Sequence, residues 1–462
     1  MSTLFEYLNT THNSTLELVD ANSGFTKKYD NIIKELTDFS TTHKKLAFLY
    51  VDNSLESVKI LLSLLKSNHA TCLLSSSLNI LLKQKLESIY TPSYVFDHQR
   101  TDSISSFPII YKEGHLKGYE MNNEDYAIHP DIKVLLSTSG TTGSPKFVKI
   151  TDFNLISNTT SILDYLPICA SDNCILNLPI HYSYGLSILL TNIANGGRII
   201  CTNESVLSQN FWTIFEKYKC TSISGVPYTY EMLHRVGFTK NKYNSIRYMT
   251  QAGGKLDETL IKTFTDYAIP KNVQFYIMYG QTEATARMSY LPPDMLTKKI
   301  GSIGKPIKGG EFNLEPVSCE LIYSGPNVGC GYTYGIEDLQ KCVYQKSLHT
   351  GDIAKVDKDG FYYITGRMRR FIKLFGNRIN LDELESDLKE YCGCFIGCTG
   401  IEDKKLLIFS DNDSLNPENT RNYISNKYQI HISVIKYVFA KNIPLTSNQK
   451  VNYQEIINNN GY

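Results

Sequence analysis

A chain of 462 residues has material for two or three domains and a large buried core. Its 47 Lys and Arg offset 46 Asp and Glu, and a formal net charge of +1 leaves no field that would mark nucleic acid or an anionic membrane as the main partner. A small molecule is the expected substrate. The first residues, MSTLFEYLNTTHNSTLELVD, carry acids and polar groups where a secretion signal needs a basic segment and then an apolar run. The apolar VKILLSLL is broken by Lys59 and Ser63 and falls far short of the roughly 20 residues that cross a bilayer. A soluble, cytoplasmic chain without a membrane span is expected, and its eleven cysteines are expected as reduced thiols.

In chain order, KLAFLYV from Lys45 reads as a strand, and a helix follows in DNSLESVKILLSLLKSN with Asp52 or Ser54 as its cap. ATCLLS returns as a strand, SLNILLKQKLESIY as a helix and SYVFD as a strand. That βαβαβ order implies a parallel sheet covered by helices. The alternation resumes in CILNLPI, LSILLTNIAN, GGRIICTN, FWTIFEKY, CTSISGVP and NVQFYIMYG. After about Pro306, short strands with glycine turns, GEFNLEP, CELIYSG and AKVDKDGFYYITG, read as a small β subdomain. Beyond about residue 366, GRMRRFIKLFGNRI and the helix NLDELESDLKEY, capped by Asn380 or Asp382, read as a compact α+β domain. Cys392, Cys394 and Cys398 in CGCFIGC lack zinc-knuckle spacing and are expected to be core or surface thiols. The Asn-rich end, IINNNGY, reads as frayed.

The stretch LLSTSGTTGSPKFVKIT, Leu135 to Thr151, raises the question of chemistry. Gly140 and Gly143 let backbone N–H groups turn inward, Ser139, Thr141, Thr142 and Ser144 add hydroxyl donors, and Lys146 adds a point charge. Such a loop can surround phosphate oxygens. Its spacing is not the Walker form, and a P-loop NTPase is disfavoured. A plain turn between two strands is the alternative.

LLSTSGTTGSPK resembles the phosphate loop of the adenylate-forming superfamily, which holds acyl- and aryl-CoA synthetases, luciferases and adenylation domains of peptide synthetases. Seven further segments stand in that family's order: LPIHYSYGLS, QAGGKL, MYGQTEATARMSY, GSIGKP, HTGDIAKVDKDGFYYITGR, IKLFGNRINLDELE and PLTSNQKVNY. The resemblance implies an α/β fold with a large N-terminal adenylation domain of parallel and mixed sheets, residues 1–366, and a small mobile α+β lid, residues 367–462. It implies ATP and Mg²⁺, attack of a carboxylate on the α-phosphate, and transfer of the acyl group to CoA or to the phosphopantetheine of a carrier protein.

Attack at phosphorus brings anions together, and the site must offset their charge. By the resemblance, Ser139, Gly140, Thr141, Thr142, Gly143 and Lys146 serve the pyrophosphate end. Thr282 binds phosphate, Glu283 holds Mg²⁺, and Tyr279 with Gly280 lies beside adenine. Gly253 and Gly254 permit close approach to the base. Asp352 accepts the ribose hydroxyls, Arg367 lies near ribose and phosphates, and Lys450 bridges carboxylate and phosphate. Two positions depart from the family pattern: Gln449 stands where glycine is usual, and Arg369, followed by Arg370, where Asp or Lys forms the hinge.

The acid pocket is expected at Tyr182, Ser183, Gly185 and Met278, with walls from Gly225 to Tyr228. Ser183 stands where amino-acid-activating relatives carry an aspartate for the α-ammonium, which favours an acid without an amino group. IKLFGNRINLDELE also resembles carrier-loading ligases, D-alanine ones included, which keeps that alternative open. A non-catalytic nucleotide- or acyl-adenylate-binding protein on the same fold would be expected to lack Lys450, Glu283 or Asp352, and all three are present.

Overall fold

The computed structural model describes residues 2–460 except Asn13, Gln99, 138–145, Lys242, Arg369, 375–376, Glu402, Gln429 and 447–449. The chain divides into two compact units, Met1–Glu311 with Tyr323–Leu348, and Phe312–Ile322 with His349–Tyr462.

The first unit is built on two large sheets. The βαβαβ reading holds: strands Leu46–Val51, Ala70–Ser75 and Tyr94–Asp97 alternate with helices Leu55–Lys66 and Ile80–Tyr90, and Leu46–Val51 pairs parallel with both other strands. All six residues of Leu46–Val51 are buried, as a strand covered on both faces requires. Of the two proposed caps Ser54 is the one used, its hydroxyl accepting from Ser57 N–H. These strands lie in an eight-stranded sheet that continues through Ile132–Ser137 to Phe147–Thr151.

A nine-stranded sheet holds Asn173–Leu176, Ser222–Gly225, Tyr248–Gln251 and Gln274–Tyr279 as a parallel run, closed at one end by antiparallel Ser289–Leu291. Because side chains alternate along a strand, Ser222 with Ser224, Tyr248 with Thr250, and Tyr276 with Met278 each share a face. Helix Ser183–Asn195 is buried along most of its length. Among the described residues no helix is long and apolar enough to cross a membrane.

The second unit joins a four-stranded sheet, built on Glu311–Leu314, Glu320–Ser324, Leu348–Val356 and Tyr362–Arg367, to an α+β portion. The small β region thus groups with the residues that follow it, because the hairpin Leu348–Val356/Tyr362–Arg367, with one register shift between Ile353 and Ala354, runs to the expected joint. Beyond it come the hairpin Phe371–Leu374/Asn377–Asn380, helix Leu381–Cys392, and a three-stranded sheet of Gly397–Ile401, Lys405–Ser410 and Ile435–Phe439. Asn380 caps the helix, its side chain accepting from Asp382 and Glu383 N–H. Cys398 is buried in this core and Cys392 and Cys394 pack against it, as thiols of the core reading should.

Candidate active site

The loop proposed to cradle phosphate connects two hydrogen-bonded neighbours, since Ser137 and Phe147 are antiparallel partners. Ser139, Gly140, Thr141, Thr142, Gly143 and Ser144 lie outside the described residues. Lys146, at the loop's far end, places its Nζ 3.5 Å from the centre of the Tyr332 ring, a cation–π contact. The Tyr332 hydroxyl donates to Glu283 Oε1 at 2.9 Å. One tyrosine, remote in sequence from both, thereby joins the predicted phosphate cation to the predicted metal carboxylate.

Glu283 and Thr282 stand on the short 3₁₀ turn Thr282–Ala284, which follows strand Gln274–Tyr279. Next comes Thr285 at φ +66° and ψ −49°, with Ala286 N–H donating to Ala284 O at 2.7 Å. This is a γ-turn of the strained hand, rare for a β-branched residue. Side chains from distant segments hold it. Thr285 Oγ1 donates to Asn327 O, Asn327 Nδ2 donates to the carbonyls of Ala284 and Arg287, and Asn158 Nδ2 donates to Arg287 O. Strain retained at such a turn signals a functional constraint, and here it reverses the chain between Glu283 and Arg287.

Thr282 is buried, and its Oγ1 lies 3.4 Å from Ser183 Oγ at the start of helix Ser183–Asn195. A residue expected at phosphate and one expected at the acid therefore meet. Tyr182 and Met278 belong to one apolar cluster with Tyr184, Tyr248 and Ala252. Gly185 has a packing reason: an added Cβ would sit 2.1 Å from the Pro179 carbonyl oxygen. Gly280 is similar, with the Ala286 carbonyl oxygen 1.8 Å from a built Cβ. Gly253 takes φ +87°, the left-handed region, and a Cβ on Gly254 would press on Pro227 at 3.0 Å, within the expected wall Gly225–Tyr228. Tyr279 ends its strand opposite Ser289 and accepts from Gln281 Nε2 at 3.4 Å.

In the second unit Asp352 and Arg367 are cross-strand partners, and Arg367 Nε donates to Asp352 Oδ1 at 2.9 Å. The carboxylate is buried, while 58% of the arginine side chain is exposed. Two residues proposed for ribose and phosphate are thus already paired. Lys450 lies on a turn closed by Thr446 N–H donating to Lys450 O and Lys450 N–H donating to Thr446 Oγ1. Gln449 and Arg369 lie outside the described residues. Arg370 donates to Asp382, Glu385 and the Cys398 carbonyl, and its guanidinium faces the Tyr453 ring. Despite burial, these carboxylates hold it firmly charged, and it anchors the α+β core.

Sequence reasoning missed Tyr332, Asn158, Asn327 and Arg287. Only Arg287 carried a signal, since it stands four residues after Glu283 within MYGQTEATARMSY.

Comparison with known proteins agrees. The model of a family described as AMP-binding enzyme matches residues 36–333. Putative acyl-CoA synthetase YngI of Bacillus subtilis is 26% identical over 336 residues, 68% of this chain and 61% of that protein. Oxalate–CoA ligase of Arabidopsis thaliana is 28% identical over 60% of this chain and 56% of its own length. The 2-succinylbenzoate–CoA ligase of Staphylococcus epidermidis is 26% identical over 74% and 71%. The chain thus spans under two thirds of the first two relatives. Among solved structures, o-succinylbenzoate CoA synthetase from Bacillus subtilis with its acyl-adenylate intermediate superposes with a TM-score of 0.75 at 21% identity, over 99% of this chain and 98% of that one. The same enzyme with ATP and magnesium gives 0.72 at 19% identity, over 98% of each chain. These likenesses establish the fold. The family match takes in both large sheets' central strands, Lys146, Thr282, Glu283 and Tyr332, and the chain belongs to the AMP-binding enzyme family.

Proposed function

We propose that this protein is an AMP-forming acid–thiol ligase. A carboxylate oxygen of the acid attacks the α-phosphorus of ATP, the bond to the β-phosphate oxygen breaks, and pyrophosphate leaves. A thiol sulfur then attacks the acyl carbon, the acyl–oxygen bond to AMP breaks, and the thiol proton passes to solvent. The observation that carries this reading is Tyr332 between Lys146 and Glu283, because it gathers a cation and a carboxylate at one place, each through its own contact with the tyrosine. In this reading the cation serves a polyphosphate and the carboxylate its metal.

Glu283 would hold Mg²⁺. A single carboxylate among hydroxyls suits an ion that is usually bound through one or two carboxylates together with substrate phosphates. When bound, the ion offsets phosphate charge. Lys146, Thr282 and the loop 138–145 would take the pyrophosphate end, Asp352 and Arg367 the ribose, and Tyr279 and the glycines at 253, 254 and 280 the base. In this reading residues 1–366 form the adenylation domain and 367–462 a lid that brings Lys450 to the first step and withdraws it for the second. Tyr182, Ser183, Gly185 and Met278 line the acid.

The acceptor is CoA in the names of the oxalate and 2-succinylbenzoate relatives, which supports CoA before a carrier protein. We place it in the cytoplasm, where both ATP and CoA are supplied. The neutral Ser183 beside Thr282 favours an acid without an α-ammonium. The test is mass spectrometry of products from ATP, Mg²⁺, CoA and a panel of short, branched, hydroxylated and aromatic acids. AMP with acyl-CoA is expected, and ADP formation would overturn the reading.

A further inference from the structure

Arg287 is a buried cation that the reaction does not use. The residue is 3% exposed, its Nε is buried without a hydrogen-bond partner, and among the described residues no carboxylate pairs with it. The segment 138–145, TSGTTGSP, which lies outside the described residues, contains no acid in its sequence. Its guanidinium carbon lies 3.8 Å from the centre of the Tyr184 ring. Burial raises the Tyr165 and Tyr184 phenols above their ordinary range, and neither offers a negative charge. A buried guanidinium with no counter-charge is unstable unless something else supplies one.

Arg287 lines a small cavity of about 20 Å³, room for roughly one water. Met278 and Tyr184 line it too, and both share an apolar cluster with Tyr182, which sets the cavity beside the proposed acid pocket. A second orphan lies on its wall: Asn192 Oδ1, buried and without a hydrogen-bond partner, on the helix that begins at Ser183. From Ser183 to Asn192 the helix rises about 14 Å. A trapped water could bridge the two orphan atoms, but it would leave the charge uncompensated. Ser187, Thr191, Ser222, Ser224 and Thr250 also stand on the lining, among the apolar side chains of Ile162, Leu166, Ile168 and Ile188.

We propose that Arg287 binds a second carboxylate at the far end of the acid, so that the substrate is a dicarboxylic acid rather than a simple alkanoic or aryl acid. The inference rests on the adenylation reading above and extends it. One carboxylate reacts near Thr282 and Ser183. The other pairs with the guanidinium, and Met278, an unbranched and adaptable side chain, moves aside to admit it. A planar fork matches a carboxylate in two hydrogen bonds, which lysine cannot reproduce.

The experiment is acid-dependent exchange of labelled pyrophosphate into ATP with hexanoate, adipate and monomethyl adipate, and with butanoate and succinate, for wild type, Arg287→Lys and Arg287→Met. Wild type should prefer a diacid over its uncharged partner by about tenfold or more. Arg287→Lys should retain part of that preference, and Arg287→Met should lose it while still activating the monoacids. Preference of wild type for the monoacids, or a ratio unchanged in Arg287→Met, overturns the inference while leaving the adenylation reading intact.

Thermal melting gives an answer independent of turnover. Adipate or succinate should raise the melting temperature of wild type and not of Arg287→Met, and the variant without ligand should melt no lower than wild type. If no acid supports exchange, the adenylation reading fails and melting alone decides the binding site. A variant that simply melts lower, with no diacid shift in wild type, marks Arg287 as a structural plug and overturns the inference.

Discussion

Tyr332 donates its hydroxyl to Oε1 of Glu283 across 2.9 Å, linking a short edge strand to the turn that carries the proposed metal ligand. A hydrogen bond to an ionised acceptor is worth more than one between neutral groups, and it also fixes the carboxylate's orientation. Tyr332→Phe keeps the ring beneath Lys146 and removes this bond. The Mg²⁺ concentration for half-maximal activity should rise by about tenfold, and Glu283→Gln should raise it further. An unchanged Mg²⁺ titration in both variants would remove Glu283 from the metal.

Lys450 stands on a closed turn at the end of the second unit, and its proposed work is confined to one half-reaction. Lys450→Ala should slow adenylation by about 10²–10³-fold, the scale of losing one charged group from a transition state. Thioester formation from supplied acyl-AMP should stay near wild type. Equal losses in the two half-reactions, measured separately, would contradict the assignment.

Ser183 is buried beside Thr282, where a carboxylate would lack a partner unless the substrate carried an ammonium. Ser183→Asp should cost several kcal/mol of stability at neutral pH and lower activity on des-amino acids. Pyrophosphate release from matched pairs, propionate with alanine and phenylpropionate with phenylalanine, reads the effect. Wild type that prefers the amino acid in every pair would show that another residue binds the amine.

Much of this site was readable from consecutive residues, and the reason is geometric. Ser54 and Asn380 cap helices by accepting from N–H groups that follow them in sequence, and Thr282, Glu283 and Asp352 sit in segments that resemble motifs of the adenylate-forming superfamily. What escaped was built from contacts across the chain. Asn158, Asn327 and Tyr332 lie far in sequence from the turn they hold, and nothing near them marks it. Thr285 gave no warning either, because glycine, the usual sign of positive φ, is absent there. Arg287 lay inside a quoted motif, but sequence alone gave it no role, and its burial shows only in the structure.

Lys133, on the strand that enters the loop, illustrates a stability effect with a definite sign. Burial lowers its ammonium to about 8, although Nζ donates to the Ser67 carbonyl at 2.6 Å. Between about 8 and the ordinary lysine value near 10.4, the unfolded chain holds a proton that the folded chain has released. This contribution to stability therefore rises with pH. Relative to Lys133→Met, wild type should gain about 1 kcal/mol from pH 7 to pH 9, measured by denaturant unfolding at both values. A difference that stays flat or falls would show that Lys133 remains charged when folded.

The reaction itself is tested most directly by following oxygen from the acid. With a carboxylate labelled in both oxygens with oxygen-18, attack on the α-phosphorus followed by thiol attack on the acyl carbon leaves one label in the phosphate of AMP and one in the thioester carbonyl. Mass spectrometry of AMP formed with CoA by a supported acid should show that single label. Unlabelled AMP, or label recovered in inorganic phosphate instead, would contradict activation of the acid as its adenylate.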